Sequence, residues 1–391
     1  MSVFVAEELS EVLNTKVVIG RINMGLLNRI IIDDVLLDDQ SGQEMLKVTR
    51  LSAKFDIMPF FKGKISISSV QLFGFNITLR QETPDSPPNF KFVLDAFASK
   101  DTVKKENSLD LRINSILIRR GRMSYHVLSE EETPGKFNAK HIQLQNIIAN
   151  ISLKALSKDS LNLGIKRLSL DEKASGFSLK KMSLKLVANN KQTNIDNFTI
   201  ELPETSLKLD TIHLEYDSLK AFDRFTEQVH FSFRTLPSQV TLKDISPFVP
   251  ILSHFKEPVT LDMEVKGTVD QLTCSHLEIT ADDRQFRLRG DVSLQDLSRP
   301  QDAYVYGTLS ELSANTRGVG FLVRNLSPNY NGVPPLLERL GNVGFQGEIS
   351  GYFTDLVTYG QLQTSLGNVK TDLKLSSDKT KGLFAYSGAV K

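Results

Sequence analysis

Apolar residues recur at every second position over much of this chain, the spacing that lines one face of a β-strand. Phe73, Phe75, Ile77 and Leu79 follow it, as do Ile212, Leu214 and Tyr216, then Val229, Phe231 and Phe233, then Leu261, Met263 and Val265. Overlaid on this alternation is an eight-residue unit in which two alternating apolar residues, a polar pair and two more alternating apolar residues follow one another, so that the parity flips. Strict copies are Leu46/Val48/Leu51/Ala53, Ile65/Ile67/Val70/Leu72, Leu163/Ile165/Leu168/Leu170, Phe177/Leu179/Met182/Leu184 and Leu207/Leu209/Ile212/Leu214, with looser ones from Val17, Ile30, Leu111 and Ile142. At the 40% apolar content of the chain, chance supplies roughly 0.7 strict copies up to Tyr216. A parity slip turns the apolar set to the opposite face unless a β-bulge absorbs one residue. Ser68-Ser69, Lys166-Arg167, Lys180-Lys181 and Asp210-Thr211 are therefore candidate bulges. A short turn, or a strand buried on both faces over half its length, would also fit.

Turn chemistry separates the patterned segments at Asp39-Gln40-Ser41-Gly42, Thr83-Pro84-Asp85-Ser86-Pro87-Pro88, Thr133-Pro134-Gly135 and Ser175-Gly176. Helical spacing is scarce. Val5, Leu9, Val12 and Leu13 predict a helix over 3–13, and Phe90, Val93, Leu94 and Phe97 predict a second. Two prolines predict a short or broken helix over 246–256, and a last one falls at 335–340. From Val259 glycine becomes more frequent, and Glu264-Val265-Lys266-Gly267 with Leu272 matches Glu348-Ile349-Ser350-Gly351 with Leu356 at a constant offset of 84 residues. A soft boundary is set at 236–258, dividing an N-terminal part, 1–240, from a C-terminal part, 241–391.

The chain has 391 residues, 47 Lys plus Arg and 46 Asp plus Glu, for a formal charge of +1. That balance removes the electrostatic case for a nucleic-acid binder. A single cysteine, Cys274, excludes an internal disulfide. The sequence has neither a long uninterrupted apolar run nor a basic-then-apolar leader. Its abrupt start and its stop within a patterned region suggest a piece of a longer protein.

Catalytic signals are weak. There is no G-x-S-x-G elbow, and Ser178-Leu179-Lys180-Lys181 matches S-x-x-K only in letters, on a strand. His126, His141, His213, His230, His254 and His276 lie far apart in sequence and none pairs at metal-ligand spacing, so no metal and no cofactor are expected. Asp33-Asp34 and Asp38-Asp39 are followed too closely by Gly42 for an EF-hand loop and read as a bulge and then a hairpin turn. Gly341, Gly344 and Gly347 do not open a strand-to-helix phosphate turn. No enzyme is predicted. What requires a function is the apolar sheet face, for which the predicted helices are too few to be a cover. Periodicity alone is met most simply by a closed sandwich. A trough whose interior is covered by an apolar ligand would also satisfy it.

Thr83-Pro84-Asp85-Ser86-Pro87-Pro88-Asn89-Phe90 with Phe92-Val93-Leu94-Asp95-Ala96-Phe97, and Leu111-Arg112-Ile113-Asn114-Ser115-Ile116-Leu117-Ile118-Arg119-Arg120-Gly121, resemble segments of Bacteroidetes TamB-like proteins of the AsmA superfamily. The runs 65–79 and 206–216 and Gly344-Phe345-Gln346-Gly347-Glu348-Ile349-Ser350-Gly351 are similar as well, so the resemblance spans nearly the whole chain. These motifs are structural and none is catalytic. The resemblance implies a mostly β fold, an elongated antiparallel β-taco or repeating β-groove with a hydrophobic interior and a few short helices. It also implies a periplasmic location, anchored to the inner membrane. A membrane anchor and a C-terminal domain that meets a BamA-family outer-membrane barrel would both lie outside this sequence. The implied role is phospholipid transport between inner and outer membranes, with phospholipid acyl chains as the cargo. The alternatives are an outer-membrane protein assembly factor that captures strands beside the barrel, and a structural periplasmic spacer. Alternation alone proposes Phe73, Phe75, Ile77, Leu79, Ile116, Ile118, Leu184, Leu186, Leu207, Leu209, Phe231 and Phe233 as groove lining. The helix over 3–13 would rest at the trough entrance.

Overall fold

The computed structural model describes residues 2–26, 28–55, 67–98, 114–157, 160–281, 283–299, 302–326, 332–333, 335–353, 355–378 and 383–390. The protein is mostly β, with twenty strands in one largely antiparallel sheet and a few short helices. Two compact units divide it: Met1–Leu156 with Asn162–Ser183, and Ser157–Leu161 with Leu184–Lys391.

The first unit carries β1 (Val17–Gly25), β2 (Arg29–Asp38), β3 (Glu44–Phe55), β4 (Ile67–Gln81), β5 (Ser115–Val127), β6 (His141–Ser157) and most of β7 (Ser160–Glu172). Neighbouring pairs from β1 to β4 are antiparallel, as is β5 with β6. β4 and β5 run parallel, the exception within the largely antiparallel sheet among the described pairings. The segment between them, which includes the helix Lys91–Ala98, is long enough for the crossover that a parallel pair demands.

The parity slips in the sequence are met in two ways, by a register shift or by a left-handed residue at which paired strands turn over together. In β1 and β2, Ile19 pairs with Val35 and Ile22 with Ile32, and Ile19, Ile22 and Ile32 pack in one cluster although Ile19 and Ile22 differ in parity. The register between the two strands is constant through this level, and Asp34, at φ 57°, is the left-handed residue at which the chain turns over without an unpaired insertion. In β3 and β4, Val48 pairs with Phe75 and Leu51 with Leu72, and all of them join one core. Both strands change parity together at the facing Thr49 and Gly74, the latter at φ 63°, with the register unshifted. Arg120 of β5 and Asn146 of β6, at φ 57° and 55°, continue the same level, so a crease of left-handed residues crosses β2, β4, β5 and β6. A bulge also falls at the predicted Ser68-Ser69, where Lys54 pairs with Ser69 and Phe55 with Ile67, leaving Ser68 extra. Lys166 and Arg167 are consecutive exposed residues on β7. Ile65 and Leu111, which open two of the units, lie outside the described residues.

Both predicted N-terminal helices form, at Ser2–Leu13 and Lys91–Ala98. Ala6, Val5, Leu13, Phe92 and Val93 pack on Val17, Ile19, Leu37 and Met45, roofing one end of the apolar face. The acidic run carries the left-handed Asp34, in unshifted register, and then a turn. Asp39 is 3% exposed, and its carboxylate accepts hydrogen bonds from the Ser41 amide and hydroxyl, the Gln43 amide, the Asn89 side chain and Arg80 at 2.5 Å. Those donors occupy the oxygens that a calcium ion would need.

The second unit holds part of β8 (Ser178–Asn189), then β9 (Gln192–Glu201), β10 (Ser206–Leu209), β11 (Ile212–Glu215), β12 (His230–Val240), β13 (Val259–Gly267), β14 (Gln271–Ala281), β15 (Phe286–Gln295), β16 (Tyr304–Ala314), β17 (Val343–Tyr352), β18 (Asp355–Thr364), β19 (Gly367–Asp378) and β20 (Leu383–Val390). The pair Asp210-Thr211 breaks one strand into β10 and β11, and both halves pair with β9 and with β12. From β12 to β20 each strand pairs antiparallel with the next. Over 236–258 the chain leaves β12, makes two 3-10 turns at Leu242–Ile245 and Pro250–His254, and enters β13. The weak duplication corresponds to equivalent hairpins: Gly267 pairs with Leu272 and Gly351 with Leu356, at φ 127° and 129°. A Cβ at either glycine would stand 2.0 or 2.2 Å from a carbonyl across the turn, so only glycine fits.

The helix Pro335–Arg339 forms as predicted, whereas Thr316–Leu326 is a helix that the spacing did not announce. Gly318 and Gly320 lower its intrinsic propensity. It forms because Asn315 caps it, accepting from the Arg317 and Gly318 amides at 3.0 and 3.1 Å, and because Val319 and Phe321 pack on Ala281, Phe286 and Ala314. Among the described residues, no helix is long and apolar enough to cross a membrane.

Candidate functional site

The candidate site is the apolar face of the sheet, taken in each unit separately. In the first unit Phe75 is buried (8% exposed), and Ile77, Leu79, Ile116 and Ile118 are half-buried. Phe75, Ile77 and Ile118 belong to the core with Val48 and Ile147. Phe73 does not line this face. The left-handed Gly74 between it and Phe75 breaks the alternation, so Phe73 pairs with Arg50 on the opposite face, is 38% exposed, and lies under the Arg120 guanidinium at 5.1 Å. There it borders an outer cleft of 920 Å³ with Arg21, Asp33, Arg50 and Arg119. The Asp33 carboxyl is held below its ordinary range, first by the hydrogen bond from Arg50.

In the second unit Leu209 is buried, and Leu184, Leu186, Leu207, Phe231 and Phe233 are half-buried. Register places several on one face. Leu214 opposes Phe231, Phe233 opposes Val265, Val265 opposes Cys274, and Cys274 opposes Val292. The rings of Phe231 and Phe233 stack with centroids 6.1 Å apart. Cys274 is 6% exposed, and burial followed by the nearby Asp291 charge pushes its thiol up to about 11, so it sits in this row as a small inert hydrophobe. Further along, Leu356, Thr358 and Leu362 of β18 are half-buried while Val357 and Tyr359 on the other face are 38% and 61% exposed.

Among the described residues, covering elements reach two parts of this second face. The Thr316–Leu326 helix lies over Ala281, Phe286 and Ala314, and Ala221 and Val229 pack on Tyr216. Phe231 and Phe233 belong to neither cluster.

The reading of isolated histidines is corrected. His126 near the end of β5 and His141 at the start of β6 are direct register partners, and their Nδ1 atoms stand 3.1 Å apart. Sequence distance hid a contact that antiparallel pairing creates. The available signal was position, since both histidines flank the turn at Thr133-Pro134-Gly135 and fall on the last rung of its hairpin.

Comparison of the chain with protein-family models, with curated proteins and with solved structures gave no match in any of the three.

Proposed function

We propose that this chain is a periplasmic segment of a TamB-like protein whose apolar sheet face carries phospholipid acyl chains between the inner and outer membranes, with the head groups in water. The observation that supports this reading is the row Leu214, Phe231 and Phe233, in register with buried Val265 and Cys274 yet left half-exposed by the helices and turns of its own unit. Water against such a row costs free energy, and each acyl methylene moved onto it recovers about 0.8 kcal/mol. Because successive rungs offer similar aliphatic and aromatic surface, a chain can slide without meeting one deep well. The Ser2–Leu13 helix leaves Val3 and Phe4 67% and 63% exposed, which suits a position beside a membrane or an anchor.

Gentle purification followed by organic extraction and mass spectrometry should recover phospholipid from the protein. The double variant Phe231→Asp/Phe233→Asp should lower the recovered lipid several-fold with an unchanged far-UV spectrum, because two carboxylates in the row would have to be desolvated against each passing chain. Protein that repeatedly yields no phospholipid, or a folded double variant that retains the wild-type amount, would overturn the proposal.

A further inference from the structure

The hairpin between β5 and β6 holds a cluster with the donor set of a transition metal. His126 Nδ1 and His141 Nδ1 are 3.1 Å apart, Glu132 Oε1 is 4.0 Å from His126 Nδ1, and the three donors lie within 4.8 Å of one another. His141 is 7% exposed and His126 is half-buried, whereas the Glu132 side chain is 63% exposed on the connection 128–140.

The surroundings of His141 fix its chemistry. Its Nε2 is 2.9 Å from the carbonyl oxygen of Glu130. A carbonyl only accepts, so Nε2 carries the hydrogen, and in the neutral ring Nδ1 presents its lone pair to His126. Two imidazole lone pairs cannot face each other at this distance without something positive between them, either a proton on one ring or a cation shared by both. A carbonyl holding the far N–H of a histidine is the arrangement that orients imidazole ligands in metal sites. Two nitrogens bound to one tetrahedral zinc at about 2.0–2.1 Å stand about 3.3 Å apart, within a few tenths of an ångström of the observed spacing. Glu132 is exposed and free to rotate the remaining distance. Neighbouring charge does not oppose a cation: Arg80, opposite His126 in the β4–β5 ladder, is neutralised by Asp39, and Lys140 is paired with Glu130 at 2.7 Å.

We infer that His126, His141 and Glu132 form a binding site for a divalent first-row metal of the zinc class, with water completing the coordination. Imidazole and carboxylate together suit zinc better than the hard cations, which prefer all-oxygen shells. The ion would clip the connection 128–140 to the last rung of the hairpin, a structural role independent of the apolar face.

The test is titration of the metal-free 391-residue protein with Zn²⁺ by calorimetry, with Co²⁺ absorption as a second readout. The expected result is one equivalent bound at micromolar affinity or tighter, with a visible Co²⁺ band of tetrahedral intensity. His126→Gln should weaken Zn²⁺ binding at least 100-fold and Glu132→Gln at least 10-fold. Both residues lie outside the buried core, so far-UV circular dichroism should confirm that each variant is folded. Absence of stoichiometric Zn²⁺ binding to the wild type, or unchanged affinity in folded His126→Gln, would overturn the inference and leave the pair as two rings sharing a proton.

Discussion

Replacing Gly74 by alanine tests the crease that keeps the first unit's apolar face continuous. Gly74 sits at φ 63°, and an added Cβ would stand 2.7 Å from Thr49 Oγ1 and 3.1 Å from Thr49 Cβ. Holding alanine in the left-handed region costs about 1–2 kcal/mol. The contact with Thr49 adds to this, while the stiffer unfolded chain returns about 0.4–1 kcal/mol. The net loss should be about 2 kcal/mol. The chain has no tryptophan, so urea unfolding is best followed by far-UV circular dichroism, and the first unit's transition should move down by about 1 M for a slope near 2 kcal/mol per molar. Thr49→Ala in the Gly74→Ala background should recover the steric part only, leaving the backbone strain. A midpoint for Gly74→Ala within about 0.2 M of wild type would refute the reasoning, because an ordinary extended glycine would accept a methyl group at no cost.

Other outcomes follow from groups already described. Burial opposes ionisation of Asp39, yet the hydrogen bonds from Ser41, Asn89, the Gln43 amide and Arg80 outweigh it and hold the carboxyl well below the ordinary range. The stability it contributes is therefore complete above the unfolded value near 4 and is lost as pH falls below that toward the native value. Asp39→Ala should cost about 3–5 kcal/mol at neutral pH by leaving Arg80 and the loop amides unpaired, and should flatten the acid limb of a stability–pH curve. Glu172 is held low in the same sense: burial is overcome by Ser175 and by the Gln143, Ser175 and Ala174 amides, so Glu172→Ala should lower the urea midpoint more at pH 7 than at pH 3. Asn315→Ala should lower stability by about 1 kcal/mol through loss of the helix cap, read from the second unit's thermal midpoint. Cys274 should resist an aromatic disulfide reagent at pH 8 in the native protein and react fully in urea; complete reaction during mixing would contradict its placement.

The strands and their parity slips were legible because one physical rule writes both. A face that must stay apolar across a left-handed crease requires a parity slip, as at Leu46/Val48/Leu51/Ala53 and Ile30/Ile32/Val35/Leu37. Phe73 was misplaced because alternation counts residues and cannot register that Gly74 turns the chain over. The parallel β4–β5 pair depends on where a long connection returns, which local spacing does not encode. The Thr316–Leu326 helix exists through its cap and its packing against Phe286, against the propensity of its glycines. The His126–His141 pair is a product of register, visible only once the two strands are aligned. The twofold character of the apolar face, buried at Phe75 and half-open at Phe231, is likewise a matter of what lies on top of it rather than of the strand itself.

The recurrence of the Gly267 and Gly351 hairpins has a thermodynamic corollary. Among the described residues, from β13 onward each strand bonds to the strands before and after it in sequence. Cooperativity in such a ladder is passed from neighbour to neighbour, so free energy accumulates hairpin by hairpin, as in linear repeat arrays. A lesion at one rung should loosen its immediate neighbours and leave distant ones intact. Evolution can lengthen or shorten a scaffold of this kind by whole hairpins while its remaining rungs keep their register.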